Sequence, residues 1–225
     1  MDGVGETYAK VRGLDSFDRV MRTFKELREL KAQFPNLRPH ICYTMSRFNA
    51  GEFQAFYDNV RRDHCVSIDE ISFTFEHFVG FYFRELPTVQ PNSAEFSKLL
   101  LKDLAAIQRI REKSGSTSRF ALKDMFYDYY LNHIPRFLAD PHRQVLPCSA
   151  GRLSAFVDPY GNVQPCSMWN KVIGNLKSSS FREIWTSPEK IAVRKEVIKE
   201  ACPNCWTPCE AQPTWIGNLP RALIP

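Results

Sequence analysis

Long apolar segments are missing from this sequence. No apolar run approaches the ~20 residues that a helix needs to cross a membrane, so the sequence predicts no membrane-spanning helix. The first residues, Met1 to Thr7, lack the character of a signal peptide, and we expect a cytoplasmic protein. A basic stripe is missing too, because the net charge is only +5 and basic residues are scattered among acidic ones. Nucleic acid is therefore not an expected partner.

The sequence does contain enough apolar chain to build a core. Its 225 residues, 44% of them hydrophobic, can form one large domain or two modest ones. Seven cysteines are present, an odd number, and no export signal accompanies them. This cysteine usage favours a reducing compartment and metal binding over a set of disulfides.

Five of the seven cysteines lie in the stretch from residue 148 to residue 209. The first two, Cys148 and Cys166, flank a predicted β-hairpin with strands at Leu153–Val157 and Asn162–Cys166. The Asp-Pro-Tyr-Gly segment between the strands favours a type I turn, because Pro suits the second position of that turn and Gly the fourth. Asp158 is interpreted as the residue that opens this turn rather than as a functional carboxylate.

The other three cysteines of this stretch, Cys202, Cys205 and Cys209, are closely spaced. Pro203 and Pro208 predict a loop there rather than a regular helix. Since thiolates favour zinc or iron–sulfur clusters, the late cysteines predict a metal centre. Three alternatives stay open: a structural zinc site, a thioredoxin-like redox use of the CxxC pair, and unrelated buried thiols. A zinc ribbon uses two CxxC knuckles, and a redox CxxC belongs at a strand–helix junction, so both alternatives fit the pattern less well.

The N-terminal half alternates between helical and strand patterns. A helix is predicted from an N-cap at Asp15 to a stop before Pro35, and a second one over Glu52–Asp63. Strands are predicted at His40–Met45 and Ile68–Phe75. This order predicts an α/β fold with a parallel sheet. Two or three parallel strands cannot close a barrel, so an open sheet edge is expected.

Helices dominate the middle of the sequence and return near its end. A capping box at Asn92–Glu95 begins one helix, and a short linker at Ser114–Ser118 separates it from an aromatic-rich helix over Phe120–Leu138. Pro135 is expected to kink or end that second helix, and its aromatic side chains are interpreted as core rather than as a substrate cavity. Near the end, Ser180 to Glu183 form a capping box, and Ser187 precedes a proline at the first helical position.

The cysteine spacing resembles a known family. Cys148, twelve residues, Gly161, four residues and Cys166 resemble the first half of the SPASM motif, and Cys202-x2-Cys205 resembles a later part of it. SPASM and the shorter Twitch domain are C-terminal extensions of radical SAM enzymes that bind auxiliary [4Fe–4S] clusters. The resemblance implies a one-cluster, Twitch-like domain. Its implied ligands are the four cysteines just named, with Cys209 as a possible substitute.

The N-terminal half resembles the later part of a radical SAM barrel. Asp2-Gly3, Glu6 and Arg12-Gly13 resemble a passage in such barrels, as does the segment that contains Asn49. The defining CxxxCxxC motif, which holds S-adenosylmethionine on a cluster, is not in this sequence. We therefore do not expect the chain to cleave S-adenosylmethionine unless a partner or another segment supplies that motif. Cys42 and Cys65 are interpreted as isolated, buried free thiols.

The resemblance implies a complete domain plan and a function. Residues 1–115 would form a partial, incomplete parallel barrel, 116–145 a helical bridge, and 146–225 a small cysteine-rich SPASM/Twitch domain with one hairpin. The implied function is electron transfer through an auxiliary [4Fe–4S] cluster during modification of a peptide or a small molecule. Implied partners are an N-terminal radical SAM half or a second copy of the chain, and an electron donor such as ferredoxin or flavodoxin. A non-catalytic, zinc-stapled interaction module is the alternative function.

Two residues after the second predicted strand are further candidates. Glu76 and His77 follow Phe75, where a barrel presents its site residues. A rim ion pair or hydrogen bond is the simpler use for either, and the same holds for Asn49 after the first strand.

Overall fold

The computed structural model describes residues 1–77, 94–114 and 122–219. Most of the predicted capping box at Asn92–Glu95 and most of the linker at Ser114–Ser118 lie outside the described residues. Within the described ranges the chain forms helices and short strands in the order α1 Gly5–Arg12, α2 Phe17–Leu30, β1 Ile41–Met45, α3 Phe53–His64, β2 Ile71–Phe75, α4 Ala94–Lys113, α5 Leu122–Ala139, β3 Phe156–Val157, β4 Asn162–Gln164, β5 Gly174–Asn175, α6 Phe181–Trp185, α7 Pro188–Ile198 and α8 Pro208–Gly217.

The described residues fall into two compact units. The first contains residues 1–76 and 94–114, and the second contains His77 and residues 122–219. Helix α5 packs within the second unit, against α8. The predicted helical bridge over residues 116–145 includes α5. That this bridge is a domain of its own remains a prediction. None of the helices in the described ranges has both the length and the apolar character that crossing a membrane requires.

The first unit is built on a pair of parallel strands. β1 and β2 pair in register from Ile41 opposite Ile71 to Met45 opposite Phe75. Their apolar side chains are buried, Tyr43 and Met45 completely, because helices cover the sheet as a parallel pair requires. The parallel pairing that the sequence predicts is thus present. In the described residues the two sheets have two and three short strands, and no barrel is formed.

Two local predictions for this unit are wrong, and one helix was not predicted. The predicted second strand starts too early, since residues 68–70 form a 3₁₀ turn held by a capping box from Ser67 to Glu70. The N-cap of α2 is Ser16 rather than Asp15. The stretch from Gly3 to Arg12 contains α1, for which the sequence analysis predicts no helix, and α1 ends at Gly13 in the left-handed conformation.

The first residue of the chain pairs with the free side of β1. The Met1 nitrogen donates to the Cys42 carbonyl, and the Met1 carbonyl accepts from the Thr44 nitrogen at 3.1 Å. This is the hydrogen-bond pattern of a parallel neighbour opposite Tyr43. Part of the sheet edge that the sequence leaves open is therefore covered by the chain itself. The buried Asp2 follows and pairs with the Arg12 guanidinium at 2.5 Å.

A buried carboxylate organises the start of α3. The Asp103 side chain on α4 is 1% exposed and accepts hydrogen bonds from the backbone nitrogens of Gly51 at 2.7 Å and Phe53 at 3.1 Å. The Phe53 nitrogen belongs to the first turn of α3, where backbone donors have no partner inside the helix, and Gly51 lies just before the N-cap residue Glu52. Phe53 then packs edge-on against Tyr43 and Phe73 of the sheet. Asp103 thus fixes the helix that covers β1 and β2.

The second unit contains the predicted hairpin and an additional strand. β3 and β4 are antiparallel, and β5 pairs with the other side of β4. Gly161 donates its nitrogen to the Asp158 carbonyl at 3.0 Å, which closes the turn, and the Asp158 carboxylate accepts from the nitrogens of Tyr160 and Asn162. The interpretation of Asp158 as a turn residue is confirmed.

Helix boundaries in the second unit follow their capping residues. The capping box at Ser180 and the N-cap at Ser187 are both present, as predicted. Pro135 does not end α5, which continues to Ala139. The loop expected at Pro208 is wrong, because helix α8 begins at that residue. Proline is tolerated in the first turn of a helix, where its missing N–H would have no partner inside the helix.

Candidate metal centre

Four cysteine side chains line one cavity in the second unit. They are Cys148, Cys166, Cys202 and Cys205, and the other wall residues include Trp206 and Glu210. Cys209 is not among the lining residues; it is exposed and lies in the first turn of α8. All seven cysteines are free thiols. The structure therefore brings together the four thiols that the resemblance implies as ligands, and it leaves Cys209 outside their cavity. Their role as ligands stays a prediction.

Three separate chain segments deliver these thiols. Cys148 lies in the loop after α5, and Cys166 lies two residues beyond the end of β4. Cys202 and Cys205 lie in the loop between α7 and α8, where Asn204 has a left-handed backbone with φ 48°. Asn adopts this conformation more readily than most residues, and it lets the loop turn between two cysteines. The prediction of a loop at the CxxC pair is confirmed, although Pro208 and Cys209 are helical.

Backbone amides point at three of the four sulfurs. The Ala150 nitrogen donates to Cys148 Sγ at 3.4 Å. The Cys166 and Cys205 sulfurs likewise accept backbone hydrogen bonds, from Met168 and Thr207 respectively. Each donor lies two residues after its cysteine. An N–H directed at sulfur stabilises the thiolate, which is the form that binds a metal.

Without a cation, the cavity disfavours the thiolates it holds. Burial, followed by the charge of Glu210, raises the pKa of the Cys166 thiol to about 12. Burial also raises the pKa of Cys148 and, to a large extent, that of Cys205, and neighbouring thiolates add to both shifts. A bound metal centre reverses this balance, because its positive charge deprotonates coordinating thiols. Four soft sulfur donors around one buried cavity fit an iron–sulfur cluster.

The loop that carries Cys148 is held from several sides. The Arg194 guanidinium donates to the carbonyls of Cys148 at 2.6 Å and Ala150 at 3.0 Å. The Cys148 nitrogen donates to Gln144 Oε1 at 2.9 Å, and the Ser149 nitrogen donates to the Thr214 hydroxyl at 3.0 Å. These anchors come from the loop after α5, from α7 and from α8. They keep the Cys148 thiol directed at the cavity.

Glu210 is a site residue that the sequence gives no signal for. Its side chain lies in the cavity wall and is buried, and it accepts hydrogen bonds from the Ser167 nitrogen at 3.1 Å and from the hydroxyls of Ser154 and Ser167. Arg194 was missed for the same reason. A lone Glu or Arg in a polar helix pattern is indistinguishable from a solvated one until tertiary contacts are known.

The remaining sequence candidates have structural roles. Glu76 accepts from the Arg47 nitrogen at 3.1 Å and pairs with the Arg47 guanidinium at 3.8 Å, so the simpler interpretation as a rim ion pair is confirmed. Asn49 is buried and closes the turn after β1 by accepting from the Ser46 nitrogen at 2.7 Å. His77 Nε2 accepts from the Trp206 nitrogen at 3.0 Å.

The two early cysteines are not where the sequence analysis expects them. Cys42 and Cys65 are both exposed rather than buried. Cys42 lies on the face of β1 opposite its buried residues Ile41, Tyr43 and Met45, and Cys65 is the left-handed residue that ends α3.

A site for a single ion is a different arrangement from a cluster site. Among the residues that the structure describes, no group of three or more His, Cys, Asp or Glu side chains is placed to hold one metal ion.

Comparison with known protein families gives one match. Residues 148–206 match SPASM, described as an iron–sulfur cluster-binding domain. Searches of curated proteins and of solved structures found no match. The matched range begins at Cys148 and includes the other three cavity cysteines, and it ends before Cys209. The SPASM domain predicted from the cysteine spacing is therefore confirmed.

Proposed function

We propose that this chain, which carries a SPASM iron–sulfur cluster-binding domain at residues 148–206, holds one [4Fe–4S] cluster and uses it for electron transfer. The observation that carries the proposal is the convergence of Cys148, Cys166, Cys202 and Cys205 on a single cavity. The cluster would supply a centre that gains and loses one electron. The residues of the chain would hold it, exclude water from it and direct backbone amides at its sulfur ligands.

Four cavity thiols favour electron transfer over binding of substrate to iron. A cubane cluster has four irons, and one thiolate for each leaves no iron position open. The buried wall residues Trp206 and Ala211 would further shield the centre from solvent. We propose that Cys209, exposed and outside the cavity, is the cysteine that the cluster does not use.

We propose that the first unit is related to radical SAM enzymes. Its parallel pair β1 and β2, with Met1 bonded as a parallel neighbour on the other side of β1, is compatible with a segment of a parallel barrel. We propose a partial barrel in residues 1–115 and a Twitch-type, one-cluster domain in residues 146–225. The proposed partners are an N-terminal radical SAM half or a second copy, and a donor such as ferredoxin or flavodoxin. The proposed substrate is a peptide or a small molecule, and the proposed compartment is the cytoplasm.

Metal and sulfide content test the proposal directly. Chain purified without oxygen and reconstituted with iron and sulfide should be brown and contain about four irons and four sulfides per chain, the stoichiometry of one cubane cluster. The zinc content should be low, because the cavity cysteines are arranged for a cluster rather than for a single ion. A colourless protein with one zinc per chain would instead support the zinc-stapled interaction module.

We expect no cleavage of S-adenosylmethionine by the reconstituted, reduced chain alone. The four cavity cysteines leave no open iron, and Cys42 and Cys65 are single exposed thiols in the other unit. The measurement is 5′-deoxyadenosine formation compared with a cluster-free control. Product above that control would contradict the expectation, while product that appears only after a CxxxCxxC-bearing partner is added would support the proposed pairing.

A further inference from the structure

A buried carboxylate shares the cavity with the four thiols. Glu210 is 7% exposed and lies in the first turn of α8, and its side chain forms part of the cavity wall. Within the described residues it makes no ion pair with a Lys or Arg side chain. A carboxylate that is removed from water without a cationic partner is costly, so its polar contacts have to stabilise it.

Every hydrogen bond to Glu210 is donated by a neighbour. Oε1 accepts from the Ser167 nitrogen at 3.1 Å and from the Ser167 hydroxyl at 3.3 Å, and Oε2 accepts from the Ser154 hydroxyl at 3.1 Å. An ionised carboxylate is an acceptor only, which is what this environment satisfies. The contacts also tie α8 to the residue after Cys166 and to the loop before β3. Glu210 thus combines a fixed negative charge with a fixed position.

The charge of Glu210 acts on the cavity sulfurs. The carboxylate lies in the wall of the cavity that the four thiols line, and its Oε1 accepts from the nitrogen and the hydroxyl of Ser167, the residue directly after Cys166. A group that makes negative charge on the sulfurs less favourable also makes an added electron on their cluster less favourable. The backbone amides at Cys148, Cys166 and Cys205 act in the opposite direction.

We propose that the negative charge of the Glu210 carboxylate lowers the reduction potential of the cluster. The inference rests on the proposed function, because it concerns the cluster that the four thiols would hold. Net charge and hydrogen bonding around an iron–sulfur cluster are the main means by which a protein sets its potential. Glu210 supplies the charge, and Ser154 and Ser167 hold the carboxylate in the wall and partly neutralise it.

The test is a redox titration of the reconstituted chain and of a Glu210→Gln variant, followed by electron paramagnetic resonance. Gln keeps a carbonyl oxygen for the Ser167 nitrogen and removes the charge. At a fixed solution potential, the ratio of reduced to oxidised cluster should rise at least about tenfold, which is 59 mV for a one-electron couple. Iron per chain should stay at the wild-type level.

Glu183→Gln is the matched control. Glu183 is an exposed carboxylate in the capping box of α6, within the same domain and outside the cavity wall. The variant removes the same charge, and its potential should equal that of the wild type. An equal shift in both variants would overturn the proposal, because the effect would then belong to net charge in general.

Ser154→Ala provides a readout of opposite sign. It removes a hydroxyl donor from Glu210 Oε2 and leaves the charge in place, so the potential should fall. This variant also decides the matter if Glu210→Gln does not retain a cluster. An unchanged or raised potential in Ser154→Ala, or an unchanged potential in an iron-loaded Glu210→Gln, would overturn the inference. A wild-type chain that binds no iron would instead overturn the proposed function.

Discussion

Replacing any one of the four cavity cysteines by alanine should remove most of the iron from the reconstituted chain, and replacing Cys209 should not. Loss of a residue that only supports a metal ligand typically lowers metal affinity about 10–100-fold, so loss of a ligand itself should lower it further. The measurement is iron and sulfide per chain for Cys148→Ala, Cys166→Ala, Cys202→Ala, Cys205→Ala and Cys209→Ala.

Exposed thiols outside the cavity give the control for this series. Cys42→Ala and Cys65→Ala alter surface residues of the first unit and should retain iron at the wild-type level. If Cys209→Ala loses as much iron as Cys205→Ala, the assignment of ligands from the cavity is wrong. In that case α8 must unwind at its first turn to bring Cys209 to the metal.

Asp103→Ala should lower the free energy of unfolding of the first unit by about 2–4 kcal/mol, since each buried donor left without a partner costs about 1–3 kcal/mol. The variant leaves the nitrogens of Gly51 and Phe53 without their acceptor. Burial also raises the pKa of Asp103, so removing the carboxylate recovers part of its desolvation cost and keeps the net loss near the lower end. The measurement is urea unfolding followed by circular dichroism.

Two further variants make this second prediction specific. Asp103→Asn keeps one oxygen for one of the two nitrogens and should lose about half as much, about 1–2 kcal/mol. Asp58→Ala removes an exposed carboxylate of α3 that accepts from Gln54, and surface changes of this kind stay within about 0.5 kcal/mol. Equal stability of Asp103→Ala and Asp58→Ala would contradict the capping role. Tryptophan fluorescence, which reports on the second unit alone, shows whether the loss spreads there.

Local chemistry made part of this fold predictable from sequence. The turn at Asp158 and the helix starts at Ser180 and Ser187 depend on residues within four positions of one another, and the structure contains all three. The parallel pair β1 and β2 was predictable because helical and strand patterns alternate along this part of the sequence. The SPASM domain was predictable because cysteine is rare enough for its spacing to be informative.

Long-range contacts made the rest unpredictable. Asp103 caps a helix that lies about fifty positions earlier in the chain, and Glu210 accepts from Ser154 and Ser167, which precede it by a similar distance. Nothing within a few residues of Asp103 or Glu210 separates it from a solvated acid on the surface of a helix. The 3₁₀ turn at residues 68–70 was hidden because its Ile side chain continues the apolar pattern of the following strand.

Because three separate chain segments deliver the cavity thiols, the stability of the second unit would depend on the cluster that joins them. A centre bound by Cys148, Cys166, Cys202 and Cys205 would join three distant segments of the native chain, whereas the unfolded chain has no preformed site for it. Metal binding of this kind contributes directly to folding free energy. Oxygen that destroys the cluster would then act on the second unit as a denaturant. The lifetime of the folded second unit in air would then depend on how long the cluster survives rather than on its apolar core.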